Sequence, residues 1–270
     1  STTWKVHTHP VLVVGGFRAL MIQALHPLAM AGVAMHSDYM SDPLSRFRRT
    51  AQYVHQVVFS DTETARAAAA HVRSVHDKIN GIDPVTGKYF SANDPETLLW
   101  VHCAQAYSAI VARREFVGDL TEEEQDRYLA EFVVAGELIG IPREIIPASR
   151  AEYREYFASM LPSLCASQPS AQVISFVSKP DLRLVSVKEW PFAVNLKWAG
   201  HASATLMPRS LRQMAGLPKP RASEWALRRW TSVNAKALSR ALDNETVAGR
   251  FDSYAAKKMG TEIVPRQRQK

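Results

Sequence analysis

Cysteine is scarce in this chain of 270 residues, which contains only Cys103 and Cys165. Two cysteines cannot build a disulfide framework, and no close cysteine pair is present to hold a structural zinc ion. We interpret both as free, partly buried thiols, as expected for a protein in a reducing compartment such as the cytoplasm. A thiolate that binds a metal is kept as a reserve interpretation for Cys103.

Long apolar runs are also missing. No stretch of about 18 or more apolar residues occurs, so the sequence predicts no membrane-spanning helix. The longest apolar run near the start, Val11 to Val14, ends at Gly15-Gly16, and no basic region followed by an apolar segment indicates a secretory signal. A leader trimmed before Ser1 is compatible with a sequence that begins without methionine.

Acidic residues are few near the end of the chain. The net charge is +7, but residues 201–270 contain 14 Lys or Arg against 5 Asp or Glu, a local balance of +9. Such a region can attract nucleic acid or an anionic membrane surface. Its cations are scattered through a helical pattern and the terminal segment Arg266 to Lys270, without interleaved aromatic repeats. We therefore expect a solvated basic face and no specific nucleic-acid partner.

Several motifs of common enzyme classes are absent. The sequence has no Gly-x-Gly-x-x-Gly loop, no P-loop, no His-Glu-x-x-His pair and no Gly-x-Ser-x-Gly elbow. These absences argue against phosphate-cradling and metallopeptidase functions.

Helical signals, in contrast, are abundant. Ser60 to Glu63 has capping-box spacing and precedes an alanine-rich run from Ala65 to Ile79, which Asn80-Gly81 is expected to end as a C-cap. Pro162 to Pro191 has the weakest helical signal and is interpreted as a loop with one short helix. We expect a single all-α domain over residues 1–270. Its further helices are predicted at Asp94 to Arg114, Thr121 to Ile139, Ser149 to Met160, Ala193 to Thr205, Pro208 to Met214 and Ser223 to Leu242.

Histidine is concentrated in the first 102 residues, and it is both the commonest metal ligand and an acid or base near neutral pH. His102 lies one helical turn after Leu98 and one turn before Ala106, so its side chain projects from an apolar face with a small neighbour. This placement suits an imidazole that binds the metal of a flat macrocycle. The alternative is a core histidine bonded to a backbone carbonyl, and the spacing alone favours that alternative.

A second pair of polar residues falls on one helix face. Arg73 and His76 are three residues apart, so both can line one pocket, where they could bind an anion, polarise bound oxygen or move protons. The alternative is a solvated helix face, of which Arg66 and His71 are examples. The spacing alone slightly favours the solvated face.

Three further groups are candidates for cofactor binding. The run Arg46 to Thr50, with Arg48, Arg49 and Thr50, can bind carboxylates bidentately or form a solvated basic face. His26 and His36 bracket a segment of small and apolar residues, which fits either a pocket wall with a polar rim or a turn of core helix.

Several segments occur in the order found in a known family, namely Gln23 to Pro27, Gly32 to Asp38, Asp42 to Thr50, Val72 to His76, Asp94 to His102, Phe116 to Gly118 and Gly136 to Pro142. With these segments the chain resembles the haem b oxygenases related to the latex-clearing rubber oxygenase and to the endoplasmic-reticulum oxygenase of mycophenolic acid biosynthesis. The resemblance covers residues 15–165 well, and the remainder is compatible with it.

The resemblance implies an all-α fold with a globin-like helical core, additional helices and non-covalent haem b. It implies that His102 is the proximal iron ligand. Arg73 and His76 would then stabilise bound oxygen and transfer protons, and Arg48 and Arg49 would meet the haem propionates. The expected reaction is the oxygenation or oxidation of a fairly apolar small molecule with O2.

The sequence departs from the rubber oxygenases on the distal side. Their Arg-x-x-Lys-Thr stretch is matched by Arg73, but His76 and Asp77 stand where the lysine and the threonine would be. Either His76 binds iron in a bis-histidine resting state, or it stays off the iron as an acid–base group. No counterpart of the rubber oxygenases' carboxylate base is identified, which leaves rubber cleavage itself open.

Two other functions compete with a haem oxygenase. One is a protein that binds haem or an apolar ligand without turnover. The other is a haem-free helical enzyme or binding protein whose histidines act directly on a substrate. An absorption spectrum distinguishes the haem-free protein from a haem protein. Oxygen consumption distinguishes an oxygenase from a protein that binds haem or an apolar ligand without turnover.

The basic C-terminal region generates a first prediction. If it is a solvated face, the chain should bind duplex DNA weakly, and moderate salt should abolish the binding, because phosphate contacts release counterions. An electrophoretic or fluorescence titration at rising salt measures this. Tight, sequence-selective binding at physiological salt would contradict the expectation and indicate a regulatory function.

Overall fold

Helices form nearly all of the regular structure in the computed structural model, which describes residues 1–36, 43–178, 190–217 and 222–242. The helices are Thr2–His7 (α1), Leu12–Gln23 (α2), Pro27–His36 (α3), Pro43–Phe59 (α4), Thr62–His76 (α5), Pro95–Phe116 (α6), Glu122–Ile139 (α7), Arg150–Met160 (α8), Gln168–Ser178 (α9), Trp190–Thr205 (α10), Arg209–Met214 (α11) and Ala222–Leu242 (α12). The prediction of an all-α fold is confirmed. Ser37-Asp38, Asp42 and the terminal Arg266 to Lys270 lie outside the described residues.

Local capping chemistry sets the ends of the central helices as the sequence predicts. The Asp94 carboxylate accepts a hydrogen bond from the Thr97 amide at 2.9 Å, which starts α6. Thr121 and Glu124 form a reciprocal capping box at the start of α7. Gly140 ends α7 in the left-handed conformation, with φ 104°. These caps fix the register of the two helices that carry most of the candidate site.

Two local predictions are wrong. Helix α5 is capped by Asp61 rather than Ser60, because the Asp61 carboxylate accepts bonds from both the amide and the hydroxyl of Thr64. Asn80-Gly81 does not cap that helix, which ends at His76. Instead Asn80–Ile82 (β1) pairs antiparallel with Tyr89–Ser91 (β2), and Gly81 lies against the buried ring of Phe90. Burial of that ring is a tertiary effect that local pattern does not reveal.

Helix α6 forms the centre of the core, with 15 of its 22 residues buried. Buried residues on every face mean that α6 is enclosed on its sides by other helices. On one side it shares an apolar cluster with α2, α9 and α10, including Phe17, Met21, Trp100, Phe116, Ile174 and Ala202. On the other it shares a cluster with α7 and α8, including Leu99, Cys103, Ile110, Tyr128, Phe132 and Tyr153.

None of the described helices is alone long and apolar enough to cross a membrane. Helices α2 and α3 meet the length and composition requirement only when taken together, and they are bent by 100° at the break between them.

The crossing of α2 and α6 depends on a glycine. A Cβ at Gly15 would lie 2.9 Å from the carbonyl oxygen of Ser108 and 3.1 Å from the Cα of Ala109. Both neighbours are backbone atoms, which cannot rotate away as the end of a side chain can. At the adjacent Gly16, no atom lies within 4 Å of the same position.

This difference generates a matched pair of substitutions. Gly15→Ala should lower the free energy of unfolding by about 1–3 kcal/mol, because it overpacks the contact between two backbones. Gly16→Ala should leave it unchanged or raise it by up to about 1 kcal/mol, through helix propensity. Urea denaturation followed by circular dichroism measures both. Equal effects of the two substitutions would show that the crossing does not need the missing Cβ.

Candidate functional site

His102 is buried on α6 with one nitrogen unengaged. Its ring stacks on Phe132 of α7, with centroids 5.2 Å apart and planes at 16°. The Nε2 atom is buried and has no hydrogen-bond partner, unlike most buried polar atoms in proteins. The alternative of an imidazole bonded through Nε2 to a backbone carbonyl is therefore not what the described contacts show.

Gly136 of α7 faces the same edge of the imidazole. A Cβ at this position would lie 3.3 Å from Cε1 and 3.4 Å from Nε2 of His102, and 2.8 Å from Cδ1 of Ile146. A glycine inside a helix is unfavourable by about 0.5–1 kcal/mol relative to alanine. Its presence here lets the backbone of α7 approach the unengaged nitrogen closely.

An aromatic stack supports the His102 ring from behind. Phe132 also stacks on His7 of α1 at 5.3 Å and on Tyr128 at 5.4 Å. The Nε2 of His7 lies 3.0 Å from the Tyr128 hydroxyl, whereas its buried Nδ1, like the Nε2 of His102, has no hydrogen-bond partner. The stack fixes the orientation of the His102 ring relative to α7.

Burial controls the charge of both histidines. Desolvation lowers the pKa of His102 from 6.5 to about 4 and the pKa of His7 to about 3. His102 is consequently neutral at physiological pH, and a neutral imidazole is the form that binds metals.

Arg73 reaches the end of α7. Its Nε lies 3.6 Å from the position that a Cβ of Gly140 would occupy. Gly140 follows Gly136 by about one helical turn, or roughly 6 Å along the axis. The exposed Arg73 guanidinium, from α5, and the buried His102 imidazole, from α6, therefore lie against successive turns of α7.

His76 is half-buried and is the last residue of α5, three residues after Arg73. Burial lowers its pKa, the neighbouring Asn93 amide opposes the shift, and the charge of Arg46 on α4 adds to it. Asn93 donates to the Arg73 carbonyl at 3.0 Å and to the Asp77 carboxylate at 2.7 Å, which ties it to the end of α5. None of the contacts described for His76 reaches His102.

The basic run of α4 lies beside α5. Desolvation lowers the pKa of the Arg46 guanidinium, and the nearby charge of Arg49 lowers it further. Arg48 is half-buried, whereas Arg49 and Thr50 are exposed, and the Thr50 hydroxyl donates to the Arg46 carbonyl at 3.2 Å. Arg46, rather than Arg48 or Arg49, is the member of the run that acts on His76.

The two outlying histidines have backbone partners. His26 is buried, and its Nδ1 accepts a hydrogen bond from the Ala29 amide in the first turn of α3, at 3.3 Å. The Nε2 of His36 pairs with the Asn80 carbonyl at 3.0 Å, which joins the end of α3 to β1. These contacts give both residues a structural function, and their role in cofactor binding stays a prediction.

Both cysteines are free thiols, as the sequence predicts. Cys103 is buried and Cys165 half-buried, and neither forms a disulfide. Burial raises the pKa of the Cys103 thiol far above neutrality, which disfavours a thiolate ligand there. No group of three or more His, Cys, Asp or Glu that could hold a metal ion occurs in the described part of the chain.

Fold and site together define an all-α protein in which the buried Nε2 of His102 has no hydrogen-bond partner and lies close to a glycine of the next helix. The comparison with known families is more specific. Residues 4–235 match the family described as ER-bound oxygenase mpaB/B'/rubber oxygenase, catalytic domain. The chain belongs to this family of oxygenase catalytic domains. The match extends beyond residues 15–165, the part in which the sequence resemblance is clearest.

Two other comparisons gave no match. No curated protein and no solved structure is significantly similar to this chain.

The sequence did not predict the roles of four residues of the candidate site, although Arg46 and Gly136 belong to segments already named. Gly136 and Phe132 are one turn apart on α7, and a glycine in mid-helix is a sequence signal of close backbone approach. Asn93 precedes a helix cap, and Arg46 begins the basic run. Nothing in the local sequence distinguishes Asn93, and the basic run does not show which of its arginines acts on His76, because both roles come from contacts with α5.

The buried histidines generate a prediction about pH. His102 has a folded pKa near 4 and an unfolded value of 6.5, so the unfolded chain binds more protons below pH 6.5. The free energy of unfolding should therefore fall as the pH drops from about 6.5 towards 4, and His102 should contribute about 2 kcal/mol of the fall between pH 7 and 5. Urea denaturation of haem-free protein at both pH values should show that His102→Gln removes this contribution.

Cys103→Ala is the matched control, because it alters the adjacent position in the same cluster while its thiol stays neutral throughout this range. It should lower stability equally at both pH values. If His102→Gln retains the full wild-type dependence, the imidazole is not held neutral by burial.

Proposed function

We propose that the chain is a haem b-dependent oxygenase or oxidase that acts on an apolar small molecule, with His102 as the proximal iron ligand. The observation that supports this most strongly is the buried, unengaged Nε2 of His102 beside Gly136. Membership of an oxygenase family supports the reaction class.

The residues present fit this cofactor. Haem iron already has four porphyrin nitrogens and needs only one or two ligands from the protein, which a single imidazole can supply. His102 is neutral, stacked on Phe132 and surrounded by apolar side chains, as an axial imidazole of haem usually is. When bound, haem would supply the binding and activation of O2.

Arg73 and His76 are proposed to serve the oxygen side of the cofactor. The Arg73 guanidinium can donate hydrogen bonds to an oxygen atom that gains negative charge. Burial lowers the pKa of His76, which favours its neutral form, and its buried Nδ1 has no hydrogen-bond partner, so the neutral ring has a nitrogen free for proton transfer. Asn93 would hold both residues in position through the end of α5.

The cationic run of α4 is proposed to bind the carboxylates of the cofactor. Arg48 and Arg49 would pair with haem propionates, with Thr50 beside them, since guanidinium groups bind carboxylates bidentately. His26 and His36 would shape the pocket wall through the segment that they anchor at both ends.

The central prediction is stoichiometric haem b with an intense Soret band, in protein from haem-supplemented cells or after addition of hemin. His102→Ala should lose haem binding, because it removes the iron–imidazole bond. Cys103→Ala, the adjacent buried position, should retain it. Wild-type protein that shows no Soret absorbance and takes up no hemin would refute haem binding and favour a haem-free helical protein.

Turnover requires a separate measurement. Haem-loaded protein with a reductant and an apolar candidate substrate should consume oxygen steadily. A stable haem complex that consumes none across a broad set of apolar substrates would favour a carrier.

His76 generates the next prediction. If it binds ferric iron, the resting protein should be low-spin and His76→Ala should become high-spin while it retains haem through His102. If it is an acid–base group, the spectrum should change little and turnover should fall by roughly 10²-fold or more. The exposed His71→Ala on the same helix is the control. A His76→Ala protein unchanged in both respects would place this imidazole on a solvated face.

A further inference from the structure

Two tryptophans are exposed on α12, the last of the described helices. Trp225 is 72% exposed and Trp230 is 55% exposed. The other tryptophans whose side chains are described, Trp4, Trp100 and Trp198, are buried or half-buried. Tryptophan is highly buried on average in folded proteins, so two exposed indole rings within two turns of one helix require an explanation.

The opposite face of α12 is held against the protein. Thr231 and Ala235 are buried, and the Ser232 hydroxyl donates to the Phe116 carbonyl at 3.1 Å. The indole N–H of Trp198 donates to the Thr231 hydroxyl at 3.2 Å. Contacts with α6 and α10 therefore fix the rotation of α12 about its axis and keep its exposed face directed away from the core.

This exposed face is also cationic. Arg229, Lys236 and Arg240 are exposed, and none of them has an acidic partner among the described residues. Glu224, the single acidic residue of the helix, is already bonded to Arg212. No negative side chain of α12 is therefore left to neutralise the face.

The cations and the apolar side chains share one stripe along the helix. Its members follow one another at spacings of three or four residues: Trp225, Arg229, Val233, Lys236 and Arg240. Val233 is 54% exposed, and Trp230 lies beside the stripe, three residues before it. Because a helix of 21 residues is about 30 Å long, the stripe can lie along a flat surface over its whole length.

The chemistry of this face matches the surface of an anionic membrane. An indole ring places its apolar part among acyl chains and its N–H among headgroups, and Lys and Arg are attracted to anionic lipids. A helix that combines both features lies in the plane of the interface. The rest of the chain favours this orientation, because residues 201–270 carry a balance of +9 and the first 200 residues carry −2.

Other occupants match the face less well. A second copy of the chain would bring two cationic faces together, and like charges across an interface repel each other. Duplex DNA would pair with the cations, but its phosphate backbone gives the exposed indole rings no apolar surface.

We propose that the exposed face of α12 binds the surface of an anionic lipid membrane, with the helix parallel to the bilayer. The proposal goes beyond the solvated basic face expected from the sequence, because the sequence did not show that tryptophans are exposed beside the cations. The surface does not require haem, so it stands independently of the proposed oxygenase activity.

The test uses the full chain and two kinds of vesicle. One is pure phosphatidylcholine, and the other contains about one-third phosphatidylserine, a composition at which cationic helices are strongly attracted. In a sedimentation assay at physiological salt, the chain should bind the anionic vesicles at least about tenfold more tightly than the neutral ones. Equal binding to both vesicles, or binding to neither, would overturn the proposal.

Trp225→Ala separates the indole from simple charge attraction. It removes an exposed ring and leaves the net charge unchanged, so it should weaken binding to the anionic vesicles by about fivefold or more. Tyr89→Ala is the matched control, because Tyr89 is 63% exposed on β2, and it should bind as the wild type does. Wild-type binding by Trp225→Ala would overturn the proposal, since diffuse attraction of a basic protein would then suffice.

A pair of charge substitutions tests the position of the cations. Arg229→Gln combined with Lys236→Gln should weaken vesicle binding by about tenfold or more. Arg66→Gln combined with Lys88→Gln removes the same charge from exposed positions on α5 and beside β2, and it should have a much smaller effect. An equal loss in both double variants would show that only net charge matters and would contradict the proposal. Circular dichroism checks that each variant remains folded.

The rival occupants have their own signatures. Binding to duplex DNA that Trp225→Ala weakens and that exceeds vesicle binding would assign the face to nucleic acid and overturn the proposal. A dimer in analytical ultracentrifugation that Trp225→Ala dissociates, without vesicle binding, would assign it to a second copy and also overturn the proposal. A monomer that binds anionic vesicles through α12 supports it.

Discussion

The burial of α6 on all sides is the constraint on which the rest of the structure depends. A helix with 15 of 22 residues buried must be enclosed by partners, and the tight crossing with α2 at Gly15 brings one partner within contact of its backbone. On the opposite side α7 approaches through Gly136, beside the imidazole of His102. Two glycines thus determine how closely the neighbouring helices approach the helix that carries the candidate iron ligand.

The same enclosure explains the electrostatics of the site. Burial suppresses the positive charge of His102 and His7, and the lowered pKa of each follows from desolvation without an opposing ion pair. Towards α5 the groups are more exposed and charged, and the charges of Arg46 and Asp77 act on His76. A neutral ligand in the interior and a cationic group near the surface are the arrangement that the proposed haem chemistry needs.

The sequence by itself determined the helical class, the caps at Asp94, Thr121 and Gly140, and the oxygenase family, since these depend on residues close in the chain or on ordered segments. It also indicated His102 through its apolar helix face. Only the tertiary structure decided that the Nε2 of His102 is unengaged, that Gly136 lies beside it, and that Gly81 joins a strand against Phe90. The physical reason is that local pattern encodes helix propensity and amphipathicity. The hydrogen-bond partners of a side chain and its desolvation depend instead on residues far apart in the chain.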